Sequence, residues 1–301
     1  MEFKLLKEKL NKQIIAHRGA PHLTPENTLA SFKMAKALNA KWVEFDIQRC
    51  GSGEWVVIHD TTLERTSNGR GLVAKTPYSV IKALDAGAWF HPKFKNESIP
   101  LFQDVLTLLQ NLGLSPNIEI KIDHDTSRQI KEEAVTHFYS IFTASWPRSL
   151  PFQISSFDIE TLLLLKSRDA TLPLALAVEK IDDAVFKTLE QLKPFALHCN
   201  FENISRKELD LLFGHKFNRE FSPNQSDNQS LTQSDNPNLS PKFSLTQSHK
   251  TNLSQKFSDE APIVWNLMLY TINDKSIAES YFSNGVTAIF SDIPNLLSSS
   301  A

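Results

Sequence analysis

Four places in this chain bring together side chains that could do chemistry. His17 and Arg18 follow the apolar run Ile14-Ile15-Ala16, just before a Pro-Glu-Asn-Thr turn and an alanine-rich helical pattern. Glu44 and Asp46 stand two apart in "VEFD", Glu119 and Lys121 two apart in "IEIK", and His59 closes "VVIHD". Residues two apart on a strand leave the same face about 6 to 7 Å apart, at a rise of about 3.3 Å per residue. Two carboxylates so placed repel unless a cation lies between them. Hard oxygen ligands suit Mg²⁺ or Ca²⁺, to which Glu119 adds a third carboxylate, with Arg18 and Lys121 flanking the metal and facing an anion. Hydrolysis of a phosphodiester asks for this set: fixed charge for the phosphate, a Lewis acid, and an acid and base to move protons. Each part alone also has a structural reading, as a strand-end histidine, an edge salt bridge or a Glu119–Lys121 pair. Their joint placement favours chemistry.

The elements that must position these groups alternate along the chain. "QIIAHRG", "KWVEFDIQ", "NIEIKI", "FQISSF", "LPLALAV", "FALHCN", "NLMLYTIN" and "VTAIFSD" read as eight parallel strands. Helical patterns such as "TLASFKMAKALNA", "DVLTLLQNLG" and "DIETLLLLKSRD" separate most of them. This βα order predicts an α/β fold, a TIM (β/α)8 barrel, with an open doubly wound sheet as the alternative. In a barrel, the strand ends converge on one mouth. "EWVVIHD" follows strand two after only "RCGSG", too few residues for a crossover, so it must return as an antiparallel hairpin carrying His59 above strand two. Residues 60 to 100, rich in turn formers, form a small insertion or lid after strand two.

The chain of 301 residues fits one barrel domain over 1–301, and 41% hydrophobic content supplies a core. A formal charge of -2 offers no footprint for nucleic acid or an anionic membrane. The start, "MEFKLLKEKLNKQ", does not read as a secretory signal, and no membrane-spanning stretch is expected. Cys50 and Cys199 give neither a disulfide framework nor metal-ligand spacing, so a cytoplasmic location is expected. Residues 222–258, dominated by Ser, Asn and Gln, contain "SLTQSDNPNLSPKF" followed directly by its near-copy "SLTQSHKTNLSQKF". Their thin apolar content predicts a disordered low-complexity loop before strand seven.

The motifs "AHRGAPHLTPENTLASF", "VEFDIQ", "VVIHDTTLERTSNGRG", "DAGAWF", "IPLFQDVL", "NIEIK", "ISSF", "LYTIND" and "GVTAIFSD" resemble, in order, those of the glycerophosphodiester phosphodiesterase family. They span nearly the whole chain outside the repeat, and "ALHCN" and "LYTIN" are most similar to its bacterial cytosolic branch. The resemblance implies a TIM barrel that splits glycerophosphodiesters into sn-glycerol 3-phosphate and an alcohol. It implies that His17 and His59 are the acid–base pair, that Glu44, Asp46 and Glu119 hold the divalent metal, and that Arg18 and Lys121 contact phosphate. Asn27, Trp89, Phe157 and Tyr270 are further pocket candidates. Ser52 in the hairpin turn and Ile122 after the lysine depart from the family's usual Asp and Pro. Two rival functions fit less well. A phospholipase acting on whole lipids would want a membrane-facing patch, and a phosphate-sensing scaffold would usually have lost catalytic groups.

Overall fold

The computed structural model describes residues 6, 9–123, 125–213 and 266–297. The serine-, asparagine- and glutamine-rich segment 222–258 lies outside the described residues. β1 (Gln13–Ala16) leads through α1 (Leu29–Ala37) to β2 (Trp42–Arg49), which turns back as β3 (Trp55–Val57). An excursion containing the single helical turn α2 (Tyr78–Ile81) leads to α3 (Phe102–Leu112) and β4 (Ser115–Ile120). α4 (Arg128–Ser145), β5 (Gln153–Ser156), α5 (Ile159–Arg168), β6 (Leu174–Val178), α6 (Asp183–Leu192), β7 (Ala196–Asn200) and α7 (Arg206–Phe213) then alternate. β8 (Leu267–Tyr270), α8 (Lys275–Ser283) and β9 (Ala288–Ser291) follow.

Neighbouring strands run in the order β1-β9-β8-β7-β6-β5-β4-β2, and β1 also pairs with β2, which closes a barrel of eight parallel strands. This is the TIM architecture that the alternation predicts. The hairpin strand β3 is antiparallel to β2, also as expected. Its place follows from strand length. Ile47 pairs with Ile120 of β4 and with Val57 of β3, so those two strands lie on opposite edges of β2. β1 engages the β4-free edge of β2 only at Trp42 and Val43 and stops at Ala16. The upper part of that edge is left to β3, which returns His59 to the mouth.

The core has two layers. Ile15, Trp42, Ala175, Ala196, Met268 and Ala288 come from six of the eight barrel strands yet share one buried cluster, so they fill part of the barrel interior. Leu6 and Leu10 join this cluster and are almost fully buried, so the segment before β1 plugs the end opposite the mouth. Outside the strands, an aromatic ladder of Phe32, Phe45, Phe102, Phe138, Phe142 and Phe152 packs helices onto the sheet, with ring centroids 4.8 to 6.3 Å apart. Helix starts are fixed by side-chain caps: Thr28 accepts from Ser31 N, Asp158 from Thr161 N and Asp274 from Ile277 N. Each cap is worth about 0.5 to 2 kcal/mol.

The excursion between β3 and α3 has its own small core of Val56, Ile58, Leu63, Val73, Ile81 and Ile99. It is tied to the hairpin by Val57 N donating to Pro100 O and by the Val56–Leu101 bridge. Among the described residues, no helix is long and apolar enough to cross a membrane.

Candidate active site

The turn after β1 is strained and tightly held. Arg18 and Gly19 both have positive φ, 51° and 95°. A Cβ on Gly19 would lie 2.2 Å from Ser31 Oγ, so only glycine fits. Ser31 Oγ accepts from Ala20 N and donates to Arg18 O, fastening the turn to the first turn of α1. For a non-glycine residue such as Arg18 this backbone costs on the order of 1 kcal/mol. The conformation aims the Arg18 backbone N–H at Glu44 Oε2, 3.1 Å away. Asn27, also at positive φ, donates from its backbone N to Arg18 O and from Nδ2 to Asp46 Oδ2 at 2.9 Å.

Glu44 and Asp46 from β2 and Glu119 from β4 converge, each offering an oxygen within 4.8 Å of the others. Asp46 and Glu119 are direct register partners, which explains their proximity. Arg18 Nε lies 3.4 Å from Asp46 Oδ2, and Lys121 Nζ lies 3.2 Å from Asp46 Oδ1 and 2.8 Å from Glu119 Oε1. Burial, then the negative charges of Asp46 and Glu119, push the Glu44 carboxyl well above its ordinary value. Burial and Asp46 do the same to Glu119. Burial also penalises the Asp46 carboxylate, but Lys121 and Arg18 outweigh it and hold that carboxyl far below the usual range. Two carboxyls kept reluctant to ionise beside a third that is ionised make an all-oxygen site short of positive charge. A divalent cation fits that deficit.

Both histidines are oriented by carboxylates. His17 Nδ1 lies 2.8 Å from Asp292 Oδ1, and Asn273 Nδ2 donates to the other Asp292 oxygen at 2.8 Å. His59 Nδ1 lies 2.7 Å from Asp60 Oδ1. A carboxylate only accepts, so each Nδ1 carries a proton, which leaves Nε2 as the nitrogen free for proton transfer. His17 Nε2 stands 3.9 Å from Glu44 Oε2. Burial pushes the His59 imidazolium below its ordinary value, partly offset by Asp46. Asp60 is gripped by Arg65 through Nε and Nη2, Arg65 also forks onto Glu26, and Glu26 accepts from Arg18 Nη1. A continuous ionic chain therefore runs from His59 to Arg18. The Gln48 amide reaches the carbonyls of Ile58, His59 and Asp60 at 2.8 to 2.9 Å, pinning the end of the hairpin.

These groups open onto a cavity of about 400 Å³ lined by His17, Arg18, Glu44, His59, Glu119 and Lys121 on one side and by Phe157, Phe201 and Tyr270 on the other. Lys121 Nζ lies 6.0 Å from the centroid of the Phe157 ring, which meets Tyr270 edge-on at 6.2 Å. Tyr270 OH donates to Val178 O at 2.8 Å. Asn27 braces Asp46 from behind and does not line the cavity. Trp89 is not brought there either: it is 41% exposed on the excursion, and its Nε1 donates to Ala86 O. Sequence reasoning misses Asp292, Asp60, Arg65, Glu26 and Gln48. Asp60 and Asp292 stand inside the motifs "HD" and "FSD", and a search for a carboxylate partner to each histidine could have found them.

Residues 17–296 match the model of the glycerophosphoryl diester phosphodiesterase family. The glycerophosphodiester phosphodiesterase of Bacillus subtilis strain 168 is 27% identical over 215 residues, covering 67% of this chain and 72% of its own. An Oleispira antarctica phosphodiesterase, solved in complex with the product sn-glycerol-3-phosphate, superposes with a TM-score of 0.72 at 27% identity and 96% coverage of both chains. The glycerophosphodiester phosphodiesterase of Agrobacterium tumefaciens shares the fold at 20% identity, with a TM-score of 0.61 and coverage of 94% of this chain and 97% of its own.

Proposed function

This chain belongs to the glycerophosphoryl diester phosphodiesterase family of phosphoric diester hydrolases, and from that premise we propose that it hydrolyses glycerophosphodiesters to sn-glycerol 3-phosphate and an alcohol in a metal-dependent reaction. The observation that carries this reading is the pair of carboxylate-oriented histidines facing one cavity with three buried carboxylates converging beside them.

Glu44, Asp46 and Glu119 hold the divalent ion, which when bound supplies a Lewis acid to the phosphoryl oxygens. Arg18 and Lys121, already facing that corner, balance the phosphate charge and the charge that grows on it in the transition state. His17 and His59 divide the proton work through their cavity-facing Nε2 atoms. One, with Nε2 unprotonated, takes a proton from the attacking hydroxyl, and the other, entering the step as imidazolium, gives its Nε2 proton to the departing alkoxide. Asp292 and Asp60 stabilise whichever ring is imidazolium, because each Nδ1 proton is donated to an ionised carboxylate. Phe157 and Tyr270 form an apolar wall for the substrate, and the excursion over residues 60–100 serves as a lid beside the hairpin. The bland alternative for the aromatics, simple packing, is tested by the same assay on variants.

The deciding experiment incubates purified protein with glycerophosphocholine and glycerophosphoethanolamine, with and without chelator, and follows products by phosphorus NMR. Chelator-sensitive release of sn-glycerol 3-phosphate is the expected result. Phosphocholine as the main product, or full turnover in chelator, would overturn the reading.

A further inference from the structure

Arg65 lies outside the catalytic cavity yet holds the partners of two groups that line it. The excursion presents it from a fixed turn: Ser67 Oγ donates to Leu63 O at 2.6 Å and accepts from Gly69 N at 3.0 Å, and Thr66 and Ser67 are both buried. The guanidinium makes two forks. Nε and Nη2 donate to Asp60 Oδ2 and Oδ1 at 2.6 and 2.8 Å, and Nη1 and Nη2 donate to Glu26 Oε2 and Oε1, both at 2.8 Å. A planar guanidinium can grip two carboxylates in this way, whereas a lysine ammonium is a point charge.

The two forks meet at one atom. Nη2 donates to Asp60 Oδ1, which also accepts from His59 Nδ1 at 2.7 Å, and to Glu26 Oε1, which also accepts from Arg18 Nη1 at 2.9 Å. A single nitrogen therefore stands between the oxygen that orients a proton-transfer ring and the oxygen that orients a phosphate-facing guanidinium. At His17 the arrangement differs, because the neutral amide of Asn273 steadies Asp292. Without Arg65, the Asp60 and Glu26 carboxylates would face each other across the gap and repel. That repulsion would push Asp60 off His59 and Glu26 off Arg18. The Arg65 side chain is 43% exposed, and ion pairs at such exposure contribute little to stability. Placement is the larger consequence.

We infer that Arg65 is a positioning residue that couples the Arg18 side chain to the His59 ring, so that the β1–α1 turn and the hairpin hold their groups in one geometry. The inference rests on the roles of Arg18 and His59 in the proposed phosphodiesterase reaction. A misplacement of about 1 Å by a change away from the chemistry can cost about 10² in rate. Loss of this one guanidinium therefore reaches phosphate binding and proton transfer together.

The test compares the Mg²⁺-supplemented full chain with its Arg65→Met, Glu26→Gln and Asp60→Asn variants by three readouts. These are affinity for sn-glycerol 3-phosphate by calorimetry, kcat on glycerophosphocholine, and the NMR signal of the His59 Nδ1 proton, which persists only while its bond to Asp60 shields it from exchange with water. Arg65→Met is expected to weaken the affinity by about fivefold or more, the low end of coupling between distinct sites. It should also erase the His59 signal and lower kcat by about tenfold or more. Glu26→Gln should weaken the affinity and keep the His59 signal, while Asp60→Asn should lower kcat and keep the affinity. A folded Arg65→Met that retains either the wild-type affinity or the His59 signal overturns the coupling, since one nitrogen serves both sides. Where that variant does not fold, an affinity unmoved by Glu26→Gln or a kcat unmoved by Asp60→Asn overturns it. Full wild-type behaviour of Arg65→Lys would show that charge suffices without the fork and overturn it as well. Absence of turnover in the wild type would instead remove the phosphodiesterase reading, while the affinity and the NMR signal still decide the coupling.

Discussion

Glu44 carries opposite consequences for stability and for activity. Its folded-state pKa is raised above the unfolded value of 4.5 by burial and by Asp46 and Glu119, so the native chain binds more protons than the unfolded one. The contribution of Glu44 to the stability of the metal-free protein is therefore lost as pH rises above about 4.5 through the raised value. A divalent ion cancels the repulsion, so the rise in Tm on adding Mg²⁺ or Ca²⁺ is expected to be larger at pH 8 than at pH 5, read by calorimetry after chelation. Glu44→Gln should raise the Tm of the metal-free protein at pH 8 and lower kcat by about 10² or more, the scale of losing one charge-stabilising group. A metal-induced shift of equal size at both pH values would count against the carboxylate site. At the histidines, His17→Ala and His59→Ala should each lower kcat by about 10² to 10⁴, the usual worth of positioned proton transfer. Asp292→Asn should cost less than His17→Ala and shift the pH–rate profile, because it alters the ring's partner and leaves the ring. An unchanged profile would make Asp292 merely structural.

At the level of elements, the turn between β1 and α1 is the most exacting local structure. Gly19→Ala puts a methyl group against Ser31 at a positive φ, and such clashes cost about 1 to 3 kcal/mol. The expected lower Tm should come with a fall in kcat, since Arg18 and His17 ride on the same turn. Full activity with a normal Tm would mean that the turn adapts. Much of this level was legible in the sequence: eight β-rich runs gave the strands, and the short "RCGSG" link required the hairpin that returns His59. What was not legible depends on closure. Asp292 meets His17 only because β9 pairs with β1, a register set by the whole ring. Leu6 and Leu10 sit in a charge-rich segment whose burial becomes apparent only when there is a barrel end to fill. Trp89 reads as a pocket aromatic from "DAGAWF", yet local turns of the excursion carry it outward, and no periodicity records that.

For the whole molecule, the described ends of the connection before β8 lie away from the chemistry. Segment 222–258 falls between α7, which ends at Phe213, and β8, which starts at Leu267. Phe213 and Leu267 bound a helix-to-strand connection, and in a TIM barrel the two ends of such a connection lie opposite the mouth. Closure entropy changes by only about 0.6 kcal/mol per doubling of loop length. Replacing 222–258 with a short Gly-Ser linker should therefore leave kcat/KM within about twofold and stability within about 1 to 2 kcal/mol on the same loop entropy. A tenfold loss of activity would place the segment at the site.

Asp292 stands 275 positions after the histidine that it orients. During translation the ribosome releases both histidines and all three carboxylates long before it releases β9. Domains generally fold as units as they are made, at about 5 to 20 residues per second, and this one cannot seal its ring until the last strand has emerged. The nascent chain thus carries its chemical groups for most of its synthesis without the arrangement that makes them act. A transcript cut short before codon 292 would yield a protein bearing every candidate catalytic group, but with His17 lacking its carboxylate partner.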